Sequence, residues 1–212
     1  WAPAAADDIT MTVLDSIAIG DAALVETRYL TKEGTACNLG HSIVDLTGEA
    51  EPTWRHYGDP GAAARGAQVP DFPRPAADTA ASGAAERQQA IVRDFFEMHN
   101  EIDGVLAAWR KYAAPNVLLW HSADGVRARG REALLDFYAR QHRRYTYSGV
   151  RWELHRIASR PGYTAGEITY TITHEAYPPI VLPASFGVDF GPDDRIVAWR
   201  DYSRAWIPEQ AS

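Results

Sequence analysis

Trp199-Arg200-Asp201-Tyr202 closes the last run of alternating sequence in the chain, and Trp54-Arg55-His56-Tyr57 closes an earlier one. The two tetrads belong to a longer self-similarity. Glu167-Ile168-Thr169-Tyr170 stands upstream of the later tetrad as Glu26-Thr27-Arg28-Tyr29 stands upstream of the earlier one, and Val188-Asp189-Phe190 matches Val44-Asp45-Leu46. An internal repeat governs the reading of everything around it. This one is unequal. A long helical stretch precedes the strands of the second copy, and almost none precedes those of the first. The copies also differ where chemistry is most expected, His56 against Asp201.

Working outward, residues 9–20, 22–32, 36–47 and 52–57 read as four successive strands, with turn signals at Gly20-Asp21 and Thr47-Gly48. One face of that sheet lacks a local cover. Residues 59–85 read as a linker, because Pro60, Pro70, Pro73 and Pro75 sit among Ala, Gly, Asp and Ser. The spacing of Ile91, Phe95, Met98 and Ile102 predicts a helix over 86–101. Asp103 is placed to cap a second helix that Pro115 ends. Residues 117–122 read as a short strand and 131–143 as a third helix. Four strands follow, near 150–159, 163–174, 180–190 and 195–206, with turns at Arg160-Pro161-Gly162, Tyr177-Pro178-Pro179 and Gly191-Pro192-Asp193-Asp194. The expected organisation is an incomplete, strands-only unit over 1–58, the linker, and a complete unit over 86–212. The complete unit is α+β, with helices on one face of a curved antiparallel sheet and an apolar pocket between the layers.

Composition sets bounds on partners. The net charge of -7 and the lack of a long basic run argue against nucleic acid. The short basic cluster at Arg140–Arg144 reads as a solvated helix end. No apolar run is long enough to span a membrane. Cys37 is the only cysteine, which excludes an intrachain disulfide and fits a reducing, cytoplasmic setting. His155 and His174 on neighbouring strands lack a third ligand at recognisable spacing, so neither metal nor cofactor is expected. There is no Gly-rich phosphate loop, no Gly-x-Ser-x-Gly elbow and no His-Glu-x-x-His.

Three stretches carry a resemblance: Val117-Leu118-Leu119-Trp120-His121-Ser122, Gly130-Arg131-Glu132-Ala133-Leu134, and Ile196-Val197-Ala198-Trp199-Arg200-Asp201-Tyr202. In this order they resemble the nuclear-transport-factor-2-like superfamily, in particular its SnoaL-like polyketide cyclases, ketosteroid isomerases and limonene epoxide hydrolases. The resemblance covers 86–206, and residues 9–57 resemble the last four strands of a further copy. It implies a cone-shaped fold, a sheet wrapped on three helices, with Trp199 and Asp201 facing the pocket. The closing Trp-Arg-Asp-Tyr is most similar to the epoxide hydrolase pattern, in which two Asp and an Arg activate water and protonate the epoxide. One Asp maps onto Asp201. The other two positions are Ile168 and Tyr170, so the full triad is absent.

Asp201 is therefore the leading candidate, a carboxylate beside an indole, suited to move a proton. His121 and Tyr170 are the candidate complements, as an imidazole or as a hydroxyl that stabilises an oxyanion. Counting back without gaps from Gly130 turns Trp120 and Ser122 inward and His121 away. Trp120, Ser122, Trp199, Ile168, Phe95 and His99 are the expected substrate-binding residues. Glu26 and Glu167 read as outer-face charges. The expected activity is cofactor-independent acid–base chemistry (isomerisation, dehydration, cyclisation or epoxide opening) on a small apolar oxygenated molecule such as a polyketide, terpenoid or steroid. The alternative is a non-catalytic binding or dimerisation module. The expected partners are that small molecule and either a second copy of the chain or an upstream segment that supplies helices to the first unit.

Overall fold

The computed structural model describes residues 9–46, 53–58, 69–72, 83–100, 103–123, 125–144, 149–174 and 177–203. The first unit is a meander of β1 (Ile9–Ile19), β2 (Ala22–Thr31), β3 (Ala36–Asp45) and β4 (Thr53–Tyr57), hydrogen-bonded in that order. The turn at Gly20 requires a φ of 56°, which glycine reaches without steric penalty.

The second unit runs α1 (Ala84–His99), α2 (Gly104–Tyr112), β5 (Ala113–His121), β6 (Gly125–Arg129), α3 (Arg131–Arg144), β7 (Gly149–Arg160), β8 (Tyr163–His174), β9 (Tyr177–Phe190) and β10 (Ile196–Tyr202). Its sheet has the order β6-β5-β10-β9-β8-β7. All neighbours are antiparallel except β5 and β10, which are parallel. The fold is thus the expected helix-backed curved sheet preceded by a four-stranded half copy. None of the helices, among the described residues, is long and apolar enough to cross a membrane.

Local details differ from the sequence reading. The Asp103 side chain makes no capping hydrogen bond. Pro115 does not end α2. The chain is already extended at Ala113, and Pro115 lies inside β5 at a residue without a ladder partner. A proline biases the residue before it to extended backbone, so the break falls upstream. Pro178 and Pro179 belong to β9 rather than to a turn. They sit where β9 pairs with β8 alone and overhangs β10, the free-edge position that proline tolerates. Strand β6, over Gly125–Arg129, was absent from the sequence reading because a five-residue strand that begins on one glycine and is followed by another shows too little alternation. Residues 204–206, placed in the last strand by pattern, lie outside the described residues, as do 59–68 and 73–82 of the linker.

Two cores result. Helices and sheet enclose the first, built around Phe95, Phe96, Trp109, Leu119, Phe186 and Trp199. The second lies between the two sheets and contains Leu24, Leu39, Ile43, Trp120, Tyr163 and Tyr202, with Val69 and Phe72 of the linker packed on it. The half copy therefore covers the outer face of the complete sheet.

The contact between the sheets is reciprocal, and it corrects the reading of Glu26 and Glu167 as outer charges. Both are buried. Glu26 of the first copy receives the Tyr202 hydroxyl and lies 2.7 Å from Arg200 of the second. Glu167 of the second copy receives the Tyr57 hydroxyl and lies 3.0 Å from Arg55 of the first. His41 pairs with Glu26 in the first sheet as Ser185 pairs with Glu167 in the second, and these two equivalent residues hydrogen-bond each other at 2.5 Å. Equivalent residues meeting at the centre, with exchanged pairs on either side, is the geometry of a two-fold interface, here within one chain. An alternating strand pattern says which residues share a face but not whether that face meets water, which is why two carboxylates on an outer face were misjudged.

His41 at this centre is fully buried, and burial depresses its imidazole to about 4 against the pull of nearby Glu26. The folded state then binds this proton less readily than the unfolded state. Stability contributed by the neutral ring is complete above the unfolded value near ~6.5 and is lost as pH falls towards about 4. The Tm should fall through that window by the equivalent of about 3 kcal/mol, and His41→Gln should flatten the profile in calorimetry between pH 7 and 4.

Candidate active site

β10 carries the site. Its alternation turns Trp199 and Asp201 to the helices and Arg200 and Tyr202 to the half copy, since Trp199 lies in the first core and Tyr202 in the second. Asp201 stands between His121 of β5 and Phe186 of β9 in the sheet. Its floor is aromatic. Trp199 stacks on Phe186 at 5.5 Å and meets Phe95 at 4.7 Å and Trp109 at 5.5 Å between ring centroids.

Asp201 is half-buried, but its Oδ1 is shielded from solvent and has no hydrogen-bond partner among the described residues. Two tyrosines face its charge. Burial first and the Asp201 carboxylate second push the Tyr170 hydroxyl up to about 12, and the same two causes raise Tyr138 of α3. Arg127 of β6 acts against both shifts. At neutral pH both phenols keep their protons.

His121 is buried and belongs to the same side. Its Nε2 lies 2.9 Å from Ser203 Oγ, and its Nδ1 accepts the Ala123 N–H at 3.0 Å. The Tyr170 hydroxyl also donates to Ser203 Oγ, at 3.3 Å. The structure thus brings Asp201, Tyr170 and His121 to one end of the sheet, with Ser203 joining the last two.

Two expected wall residues are elsewhere. Trp120 lies in the core between the sheets, 5.7 Å from Tyr202 and 6.3 Å from Phe72 between centroids. Ser122 is occupied by the backbone of Ser203, whose carbonyl it reaches at 2.8 Å. The count from Gly130 failed because the β5–β6 ladder shifts register between Leu119 and Trp120, which inverts every face upstream of the shift. Ile168 and Phe95 are buried in the helix-side core. His99 is buried too, with its Nδ1 3.2 Å from the Phe95 carbonyl and its ring against Phe95, Trp109, Tyr138 and Trp152.

Tyr138, Ser203 and Arg127 were missed. Tyr138 carried a signal, because it shares the apolar stripe of α3. Ser203 carried one as well: two residues past Asp201, alternation gives it the same face. Arg127 was hidden with the strand that bears it. A cleft of about 430 Å3 lies away from this site, where Gly20, Asp21 and Ala22 approach Arg93, Leu154 and Arg156. Among the described residues no cluster of three or more His, Cys, Asp or Glu gathers.

The half copy holds the equivalent constellation in a different state. His56, in place of Asp201, has both ring nitrogens occupied, by Ser42 Oγ at 2.9 Å and the Tyr29 hydroxyl at 2.8 Å. Trp54, in place of Trp199, is 60% exposed. An imidazole satisfied at both ends has no free atom for a substrate. Asp201 Oδ1, at the equivalent position of the complete copy, has no hydrogen-bond partner among the described residues.

Comparison with known proteins agrees with this architecture. Residues 92–199, just over half of the chain, match the sequence model of the SnoaL-like domain. Among solved structures, the chain is similar to a SnoaL-like, polyketide-cyclase-type protein from Jannaschia sp. CCS1, at 13% identity over 58% of this chain and 90% of that one, with a TM-score of 0.49. It is also similar to an LEH-like epoxide hydrolase from M. tuberculosis, at 16% identity over 56% and 84%, with a TM-score of 0.47. A third is a ketosteroid isomerase-like protein from Catenulispora acidiphila DSM 44928, at 17% identity over 54% and 85%, with a TM-score of 0.47. None of the curated proteins matches the sequence. With its helix-backed sheet and the match over 92–199, the chain belongs to the SnoaL-like domain family.

Proposed function

We propose that this protein is a SnoaL-like enzyme that performs acid–base chemistry without a cofactor on a small apolar molecule bearing oxygen. Asp201 is the proton-transfer group. The observation that carries this reading is its shielded Oδ1, which has no hydrogen-bond partner among the described residues. A buried polar atom left unsatisfied costs about 1–3 kcal/mol, and more when charged. An acceptor in that state calls for an explanation, and a substrate donor would supply one. The aromatic floor supplies apolar contact, and the Tyr138 and Ser203 hydroxyls are neutral groups on the same side, with the Tyr170 hydroxyl donating to Ser203 Oγ. Trp199, Phe95 and Ile168 form the walls in this reading, with His99 behind them.

The half copy fills the outer sheet face through the Glu26 and Glu167 exchanges, so association of two chains would have to use another surface. The binding-module reading has no comparable observation in its favour. The test is turnover of a panel of enones, ketones, terpenoid epoxides and steroids by the wild-type protein, repeated with Asp201→Asn. Turnover equal in both would remove Asp201 from the mechanism.

A further inference from the structure

We propose that the cleft at the seam between the two units, away from Asp201, binds a zwitterionic α-amino acid with an apolar side chain. The cleft holds about 430 Å3, a volume that suits a small molecule. It forms where the β1–β2 turn, the end of β3, α1 and β7 meet. The two cores surface side by side there. Leu154 and Ile157 belong to the core under the helices, Ile19 and Ala22 to the core between the sheets, and all four line the cleft. Ala22 and Ile157 are buried, and Ile19 and Leu154 are half-buried, so the floor is apolar. The ladder of β7, an edge strand, shifts register between Leu154 and Arg156. That shift lets Leu154 and Ile157, three residues apart, serve one core while Arg156 turns to the half copy. Such irregularities recur at sheet edges and beside functional sites.

The rim carries opposite charges on the two units. Asp21 of the half copy and Arg93 of α1 are both exposed and both line the cleft. Among the described residues the side chain of neither makes an ion pair or a hydrogen bond, with the other or with anything else. Arg156 stands 3.7 Å from Asp45 and 3.7 Å from Glu167, and Glu167 is already held by Arg55 at 3.0 Å. Arg156 therefore balances Asp45, and one carboxylate and one guanidinium are left without a counterion. A ligand of one sign would be drawn to one of them and repelled by the other. A ligand with both signs and an apolar body satisfies every feature of the cleft. Its ammonium meets Asp21, its carboxylate meets the fork of Arg93, and its side chain covers the floor. Ion pairs this exposed contribute little each, so the apolar contact is needed to hold the ligand.

The probe is L-leucine, titrated into the isotope-labelled protein at pH 7 and followed by NMR of the protein methyl groups. Saturable shifts are expected at Ile19, Leu154 and Ile157. L-leucinamide, which lacks the carboxylate, and N-acetyl-L-leucine, which lacks the ammonium, should each bind about 5-fold more weakly. Glycine, without the side chain, should bind about 10-fold more weakly. Arg93→Gln should weaken leucine about 5-fold and leave leucinamide unchanged, and Asp21→Asn should do the same for leucine and leave N-acetyl-leucine unchanged. Both substitutions fall at exposed positions, and methyl spectra of the free variants that match the wild type exclude loss of fold. No saturable shift at the three methyl-bearing residues would overturn the proposal. So would leucinamide or N-acetyl-leucine binding as well as leucine, or Arg93→Gln weakening leucinamide as much as leucine. Asp201→Asn should leave leucine binding unchanged, which keeps this test separate from the proposed enzyme activity. Loss of leucine binding in that variant would put the ligand in the other site and overturn the proposal too.

Discussion

Arg200→Met is expected to lower the free energy of unfolding by about 3–5 kcal/mol, as is typical when one member of a buried ion cluster is removed. Arg200 is fully buried. Its guanidinium binds both oxygens of Asp189, touches Glu26, and lies over the Phe72 ring at 4.7 Å. The two carboxylates raise its affinity for its proton against the opposing effect of burial. Without the arginine, the buried Glu26 and Asp189 both lose the guanidinium that binds them. A loss of this size is a large part of the total stability of a domain. Urea unfolding at pH 7 should show a lower midpoint at unchanged m-value. Adding Glu26→Gln to Arg200→Met should recover part of the loss, because it removes one stranded charge. The single variant performing no worse than the double would sink this account.

The same exchange on the other side of the pseudo-two-fold should cost much less. Arg55 mirrors Arg200, yet its side chain is 45% exposed and Glu167 has a second cation, Arg156, at 3.7 Å. Arg55→Ala is expected to cost about 1 kcal/mol or less, as for other ion pairs in contact with water. One motif written twice in the sequence is therefore expected to differ several-fold in energy, because the first arginine is exposed and the second is not.

That contrast shows what was legible in the sequence. Alternation and the repeat were enough to find both sheets, the three helices and the face that Trp199 shares with Asp201, because these depend on local periodicity, whereas the inward direction of that face came from the family resemblance. The positions of Trp120, Ser122, Glu26 and Glu167 were not legible. The first two turn on a register shift between β5 and β6, which a count without gaps cannot see. The second two turn on what lies above the outer face, a relation between residues more than a hundred positions apart. Ser203 was within reach of the alternation rule, but its significance depends on its hydrogen-bond partners, and those come from β5 and β8.

Asp201→Asn is expected to reduce turnover by about 10²–10⁴-fold, the usual contribution of a positioned general base, while leaving stability unchanged or raising it by up to about 1 kcal/mol. The two effects have one cause. In the resting protein the carboxylate has one oxygen, Oδ1, shielded and without a hydrogen-bond partner among the described residues, and it is set against two phenols whose ionisation its charge opposes. Such a group costs folding energy and is kept for function, so its neutral amide should trade activity for stability. A purely structural aspartate would show the opposite, lost stability with activity falling only in proportion. A third measurement needs no substrate. Removing the charge removes the second cause of the raised tyrosines, so Tyr170, near 12 in the wild type, should ionise at lower pH in Asp201→Asn. Ultraviolet titration of tyrosinate absorbance would detect that shift. Curves that superimpose for the two proteins would mean that the carboxylate does not face the phenols, and the proton-transfer role would fall with it.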